Sequence, residues 1–327
     1  MSQQPYYLPD RMCIIIASHI SKSNRIPYLK ECLLSLIHQT IPVTIYLSIS
    51  FGDEPDLQNI VLNMIQNTDE ISTYNKLVLS IREKKTPQMR HIEMVYNEMN
   101  PTHEWILFSD DDDTYEMNRV QIFGETIVNC LNMKLPENQV VAGVYESTSG
   151  KDHREQRQEF WTYGVNRSIL GRFLNGVCPY PEILENKCCD VLFAEYLRRS
   201  KPDYLFARLT QRYYNYRVDD NQESVTGAIQ SKRFLYNNFT DPPPIDSIEW
   251  ADYVLNWNDY LHENISVYLH DTYLRTLVGV SMEDILTAEF RNNARLFTFV
   301  DVCHLNQIQQ LHEQIRKVCN EIYDITI

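Results

Sequence analysis

Apolar and polar positions alternate in blocks along the first third of the chain, and each block reads as an element. Met12 to Ala17, MCIIIA, is a continuous apolar run of the kind found in strands covered on both faces. A polar loop, SHISKSNR, leads to IPYLKECLLSLIHQ, where Ile26, Leu29, Leu33, Leu36 and Ile37 recur at helical spacing and Pro27 suits a first turn. Val43 to Ile49 predicts a second strand, followed by a turn at Phe51-Gly52-Asp53. Pro55 opens a second helix with Leu57, Ile60, Val61, Met64 and Ile65 turned inward. Leu77 to Ile81 is a third strand. Thr86-Pro87 opens a third helix, with Thr86 as N-cap and Ile92, Val95, Tyr96 and Met99 on one face. Trp105 to Phe108 is then a short apolar strand that runs into four consecutive aspartates, Asp110 to Asp113. Such strand–helix alternation predicts an α/β fold, a mostly parallel sheet with helices on both faces.

Beyond the aspartates, Val120, Phe123, Ile127 and Leu131 mark a helix and Val140 to Tyr145 a strand. Gly150 to Gln158 is a charged loop without apolar periodicity, expected to be mobile. Phe160 to Val165 reads as an aromatic strand, Arg167 to Leu174 as a short helix, and Leu209 to Arg217 as a tyrosine-rich strand. Asp190 precedes VLFAEYLRR, a helix anchored by Leu192, Phe193, Tyr196 and Leu197. From about Lys232 the texture changes. DPPP at 241–244 breaks any element, and the remainder is helical, ending in a stripe of Leu305, Ile308, Leu311, Ile315, Val318 and Ile322. The expected division is residues 1–228 and a helical C-terminal region, 229–327.

Composition narrows the class. Hydrophobic residues make up 43% and charged residues 23%, ordinary for a soluble globular protein. A net charge of −14 argues against nucleic acid as partner, which calls for a basic face. The N-terminal stretch lacks the apolar core of a secretory signal, and no run reaches the length of a membrane span. Eight cysteines without a CxxC pair, two of them adjacent at Cys188–Cys189, suit a reducing cytosol rather than a zinc site or disulfide framework. The abundance of Asn, Ile and Tyr hints at an AT-rich microbial or viral genome. With neither G-x-G-x-x-G nor G-x-x-x-x-G-K present, a dinucleotide fold or a P-loop is not expected.

Chemistry concentrates on the aspartate run. Four adjacent carboxylates repel one another unless a cation or a donor-rich partner neutralises them. At the carboxyl end of a strand they would stand where open α/β sheets place ligands, and hard oxygen donors suit Mg²⁺ or Mn²⁺. A solvated acidic loop is the bland alternative.

In order, these segments resemble a glycosyltransferase of the GT-A fold, most similar to the inverting family 2 type. Leu29 to Thr40, LKECLLSLIHQT, resembles that family's helix after the first strand. Gly52-Asp53 resembles its acidic base-contacting position, and LFSDDDD its strand ending in D-x-D. Cys189-Asp190 stands where the family has an acidic pair. Tyr213 to Gly227 resembles its tyrosine-rich stretch near the pyrophosphate. The first strand departs from the family pattern, ending Ala17-Ser18-His19, and the late histidine is replaced by Asp219 or Asp220. Two registers fit D-x-D, Asp110-x-Asp112 and Asp111-x-Asp113; the apolar-apolar-Asp-x-Asp-Asp pattern favours the first.

The resemblance implies a nucleotide-sugar donor, UDP-linked by family frequency, and Mn²⁺ or Mg²⁺ held by Asp110, Asp112 and Asp219. It implies donor contacts from Ser18, Asp53, Arg90, Asp110, Asp111 and Arg217, and Asp190 as general base toward a glycan, lipid-linked or protein hydroxyl. Each residue also has a plainer role. Asp190 suits an N-cap and Asp53 a turn; Arg90 and Arg217 suit surface ion pairs. Trp161 and Tyr163 could stack on sugar rings or simply pack. His19, His91 and His153 show no ligand spacing. The C-terminal stripe suits packing or a homodimer contact. A nucleotidyltransferase usually carries a Gly-rich basic loop after the first strand, which is absent after Ala17; a GT-A-shaped scaffold without activity is the non-enzymatic alternative.

Overall fold

The computed structural model describes residues 8–147, 158–199, 203–217, 244, 247–250, 272–292 and 302–327. The chain divides into two compact units, Met1–Glu185 with Cys189–Arg217, and Asn186–Cys188 with Val218–Ile327. The expected loop at 150–158 lies almost wholly outside the described residues, as do His153, Asp219 and Asp220.

In the first unit, nine strands are described: β1 Met12–Ile20, β2 Thr44–Phe51, β3 Leu77–Arg82, β4 Trp105–Ser109, β5 Thr114–Tyr115, β6 Val140–Glu146, β7 Tyr163–Asn166, β8 Tyr204–Leu209 and β9 Tyr214–Asn215. Its helices are α1 Ile26–Ile37, α2 Leu57–Asn67, α3 Asp69–Ser72, α4 Gln88–Glu98, α5 Arg119–Leu131, α6 Arg167–Val177, α7 Pro181–Leu184 and α8 Cys189–Arg199. The main sheet runs β3-β2-β1-β4-β7-β6-β8, and β5 pairs with β9 in a separate ribbon. All neighbours in the main sheet are parallel except β7, which is antiparallel to β4 and β6. This is the expected mixed α/β sheet flanked by helices. Ile14, Ile15 and Ile16, which alternate between the two faces of the sheet, are all fully buried, so β1, which sits mid-sheet, is covered on both faces.

Local departures from the sequence expectation have identifiable causes. Thr86 does not cap α4: Pro87 precedes the first helical residue, and the Thr86 hydroxyl donates to the Lys84 carbonyl instead. Phe160–Thr162 is a 3-10 turn, so β7 starts only at Tyr163. The stretch Leu209–Arg217 is not one strand; the chain turns after β8, and only Tyr214–Asn215 pairs again. On α2 and α5, Ile60 and Leu131 face solvent, being 41% and 44% exposed.

The second unit is helical where described, over 272–277, Met282–Asn292 and Val302–Lys317. The expected stripe holds through Ile308, Leu311, Ile315 and Val318, all buried. It then breaks, because Val318–Ile322 is a π turn. The wider turn rotates the following residues, so Cys319 is buried while Ile322 is 43% exposed.

Candidate active site at the end of β4

Register alone brings the first contact together. β1 pairs with β4 from Met12↔Trp105 to Ile16↔Ser109, so continuing two residues sets Ser18 beside Asp111. Its hydroxyl donates to Asp111 Oδ2 at 2.6 Å. The other oxygen of Asp111 accepts from Arg25 Nη2 at 2.9 Å, and the same nitrogen reaches Asp112 Oδ2 at 3.2 Å. Arg25 ends a short 3-10 turn, Ser23–Arg25, just ahead of α1.

The aspartates divide by exposure. Asp111 and Asp113 are buried at 8% and 1% exposure, whereas Asp110 and Asp112 are partly open. Asp113 accepts from the Tyr214 hydroxyl at 2.8 Å and from the Arg217 backbone N–H at 2.7 Å. The Tyr214 hydroxyl in turn accepts the backbone N–H of Asp110 at 2.9 Å, and Gln88 Nε2 donates to Asp110 Oδ1 at 2.8 Å. Arg217 Nε donates to the Asp112 carbonyl at 2.9 Å. Its guanidinium also pairs with Glu31 and lies over the Tyr28 ring, 4.5 Å from the centroid.

Crowding shows in the acid–base behaviour. Burial raises the Asp113 carboxyl to about 6 against its hydrogen bonds from Arg217 and Tyr214. Asp110 rises well above the usual carboxylate range, first through burial, then through the charges of Asp113, Asp112, Asp111 and Asp190. Asp190 therefore stands within electrostatic reach of Asp110. It occupies the first turn of α8 rather than the expected N-cap, since that helix begins at Cys189. The helix terminus still favours a negative charge there.

Tyr214 is delivered by a buried ion pair absent from the sequence reading. Arg119 Nε donates to Glu146 Oε1 at 2.6 Å, with the two side chains 0% and 1% exposed. Glu146 Oε2 accepts the backbone N–H groups of Tyr213 and Tyr214, fixing the start of β9. Arg119 also donates to the Trp161 carbonyl at 2.7 Å and lies 4.0 Å from the Tyr115 ring centroid. Trp161 stacks on Tyr214 at 4.1 Å and on Tyr216 at 5.4 Å between centroids. Trp161 and Tyr163 are both buried.

A second polar chain borders the site. His19 Nδ1 bonds the Ser50 hydroxyl at 2.9 Å, and Ser50 and Ser48 hold the two nitrogens of buried His91 at 3.1 and 2.8 Å. Burial, then Arg82 and His19, pushes His91 down to about 4, so it is neutral at pH 7. Asp53 is exposed near His19, whose pKa is lowered by burial, then by Lys85 and Arg25, with the Asp53 charge partly opposing them. The turn before it needs Gly52, because a Cβ there would lie 2.9 Å from the Ser21 carbonyl oxygen.

Of the expected site residues, Ser18, Asp110, Asp111, Asp112 and Arg217 come together, with Asp190 beside them. Asp53 lies near His19. Arg90 is engaged elsewhere, with Glu93 at 2.7 Å and Glu185 at 3.1 Å. Sequence reading missed Arg25, Gln88, Arg119, Glu146 and the particular role of Tyr214. Glu146 did carry a signal, as an acid closing an otherwise apolar strand is uncommon unless it is paired. Arg25 and Gln88 carried none.

Among the described residues, no group of three or more His, Cys, Asp or Glu side chains gathers as a metal cluster. Two open carboxylates, Asp110 and Asp112, nevertheless fit a hard cation that takes its other ligands from water and a substrate phosphate.

No protein-family model matches the chain, and no curated protein matches it. Solved structures do. TarS of S. aureus, residues 1–349 in complex with UDP, aligns at 14% identity over 94% of this chain and 90% of that one, with a TM-score of 0.42. A mannosyltransferase from Pyrobaculum calidifontis with GDP-Man and Mn²⁺ aligns at 12% identity over 97% and 89%, TM-score 0.46. A 4-diphosphocytidyl-2C-methyl-D-erythritol synthase from Anaerococcus prevotii aligns at 11% identity over 70% and 99%, TM-score 0.39. At these identities and scores the likeness says nothing about chemistry.

Proposed function

We propose that the chain is a divalent-cation-assisted glycosyltransferase that moves a sugar from a nucleotide-sugar, UDP-linked, to a hydroxyl acceptor with inversion, its catalytic part being residues 1–228. One observation carries this reading. Asp111 is held by Ser18 and Arg25 and Asp113 by hydrogen bonds from Tyr214 and Arg217, while Asp110 and Asp112, touched by Gln88 and by the shared Arg25 nitrogen, stay partly exposed at the carboxyl end of the sheet with Asp190 in electrostatic reach. Asp110 and Asp112 would hold Mg²⁺ or Mn²⁺; the ion would supply Lewis acidity toward the leaving diphosphate. Asp190 accepts the proton of the acceptor hydroxyl while that oxygen bonds to the anomeric carbon from the face opposite the diphosphate. The carbon–oxygen bond to the diphosphate breaks in the same step, through an oxocarbenium-like transition state, and the configuration inverts. Ser18 and Tyr214 keep Asp111 and Asp113 fixed, so the open carboxylates need not reorganise as charge develops.

UDP release from a panel of UDP-sugars, with and without Mn²⁺, tests the reading. Asp112→Asn is expected to abolish Mn²⁺-dependent UDP binding, and Asp190→Asn to keep binding but lose transfer. Absence of transfer, hydrolysis and nucleotide binding with every donor would sink the reading. Turnover surviving in Asp190→Asn would remove only the assignment of the base.

A further inference from the structure

Asp112, the open carboxylate, is not bare. Arg25 Nη2 lies between Asp111 Oδ1 at 2.9 Å and Asp112 Oδ2 at 3.2 Å. The Arg25 side chain is 12% exposed, and its Nε is buried without a hydrogen-bond partner. Its backbone is placed by the 3-10 turn, in which the Ser23 N–H donates to Glu54 Oε2 at 3.0 Å. Asp111 is anchored independently by Ser18, so Arg25 can leave Asp112 and keep its grip on Asp111.

A guanidinium on the Asp112 carboxylate competes with a metal ion for that side chain, and the two positive charges repel strongly in a half-buried site. A diphosphate arriving beside them reverses that balance, since arginine binds phosphate oxygens well and Nε is a donor awaiting an acceptor. We propose that Arg25 is a positioning residue that covers Asp112 Oδ2 against a cation and turns to the donor diphosphate when it binds, so that cation and nucleotide bind cooperatively. This rests on the glycosyltransferase reading above. Coupling of this kind is reciprocal: whatever UDP does for Mn²⁺ affinity, Mn²⁺ does for UDP affinity.

The test is calorimetric titration of the full chain with Mn²⁺ alone, and with Mn²⁺ at saturating UDP. Wild-type protein is expected to bind Mn²⁺ weakly alone and about tenfold or more tightly with UDP present. Arg25→Gln should bind Mn²⁺ alone about tenfold more tightly than wild type, and its coupling to UDP should shrink. Arg25→Lys, which keeps a positive charge, should stay near wild type; should the glutamine variant fail to fold, Arg25→Met makes the same neutralisation. Unchanged or weaker Mn²⁺ binding by the neutral variants, in a protein whose wild type binds Mn²⁺ with UDP, overturns the role of Arg25 alone. A lysine variant binding Mn²⁺ as tightly as the glutamine variant does the same. If no variant binds Mn²⁺ with or without UDP, both this inference and the metal-assisted reading fall.

Discussion

Asp113 shows how a single side chain records the tension in the site. Buried at 1% exposure, it titrates near 6 instead of 3.8. The folded state therefore holds its proton more tightly than the unfolded chain does. Its contribution is most favourable below the unfolded value and is lost as pH rises through about 6. His91 runs the other way. With its folded value at about 4 against 6.5, it contributes stability that is present above 6.5 and lost as pH falls through about 4. The two windows overlap, so only a difference between proteins isolates either group. Relative to wild type, Asp113→Asn is expected to gain roughly 2–3 kcal/mol between pH 4 and pH 7. Urea unfolding at both pH values measures this, and a pH-independent difference would count against it. Only the resemblance to a D-x-D pattern set Asp110 and Asp112 apart from Asp111 and Asp113; residue type alone did not. Identical residue types took different roles through contacts with Ser18, Arg25, Tyr214 and Arg217, which lie far from them in the chain.

Among elements, the two-residue strand β9 is the least self-sufficient and among the most consequential. Among the described residues it pairs with the equally short β5 alone, and Glu146 accepts the N–H groups of Tyr213 and Tyr214 at its start. Removing one partner of the buried Arg119–Glu146 pair leaves an uncompensated charge, a cost of about 3–5 kcal/mol. Arg119→Met alone should be that damaging, and Arg119→Met with Glu146→Gln milder, because the amide oxygen can still accept from Tyr214. Chemical denaturation of the single and double variants tests the coupling; strictly additive losses would mean the pair does not act as a unit. Long, periodic elements were legible in the sequence: β1, α1, β4 and α8 lie where the apolar pattern put them. Short ones were not. The Tyr-rich segment read as one strand because tyrosine suits strands anywhere, while the backbone at Tyr213 and Tyr214, past the break, is held by Glu146, a residue on another strand. The C-terminal stripe failed at Ile322 for a similar reason, since a π turn changes the period on which the pattern was read.

For the molecule as a whole, ligand binding should appear as stability. A ligand that binds only the folded state at a hundred times its dissociation constant adds ~2.7 kcal/mol. Mn²⁺ with UDP is accordingly expected to raise the thermal midpoint of the wild-type protein and to leave Asp112→Asn unmoved, by scanning fluorimetry; an equal shift in both would place the binding elsewhere. The charge of −14 makes part of any response to Mn²⁺ non-specific, so the comparison with Mg²⁺-free and high-salt controls matters. Among the described residues, no helix is long and apolar enough to cross a membrane.

The order of apolar blocks determined the α/β class, the covering of β1 on both faces and the aspartates at a strand end, because burial on both faces demands uninterrupted apolar runs. The aspartate run by itself said that charge must be neutralised there. Tertiary structure decided how: the parallel register of β1 and β4 brings Ser18 to Asp111, the turn before α1 brings Arg25, and a buried ion pair brings Tyr214. Those partners are set by strand pairing and burial between segments distant in the chain, and local residue patterns do not encode that pairing.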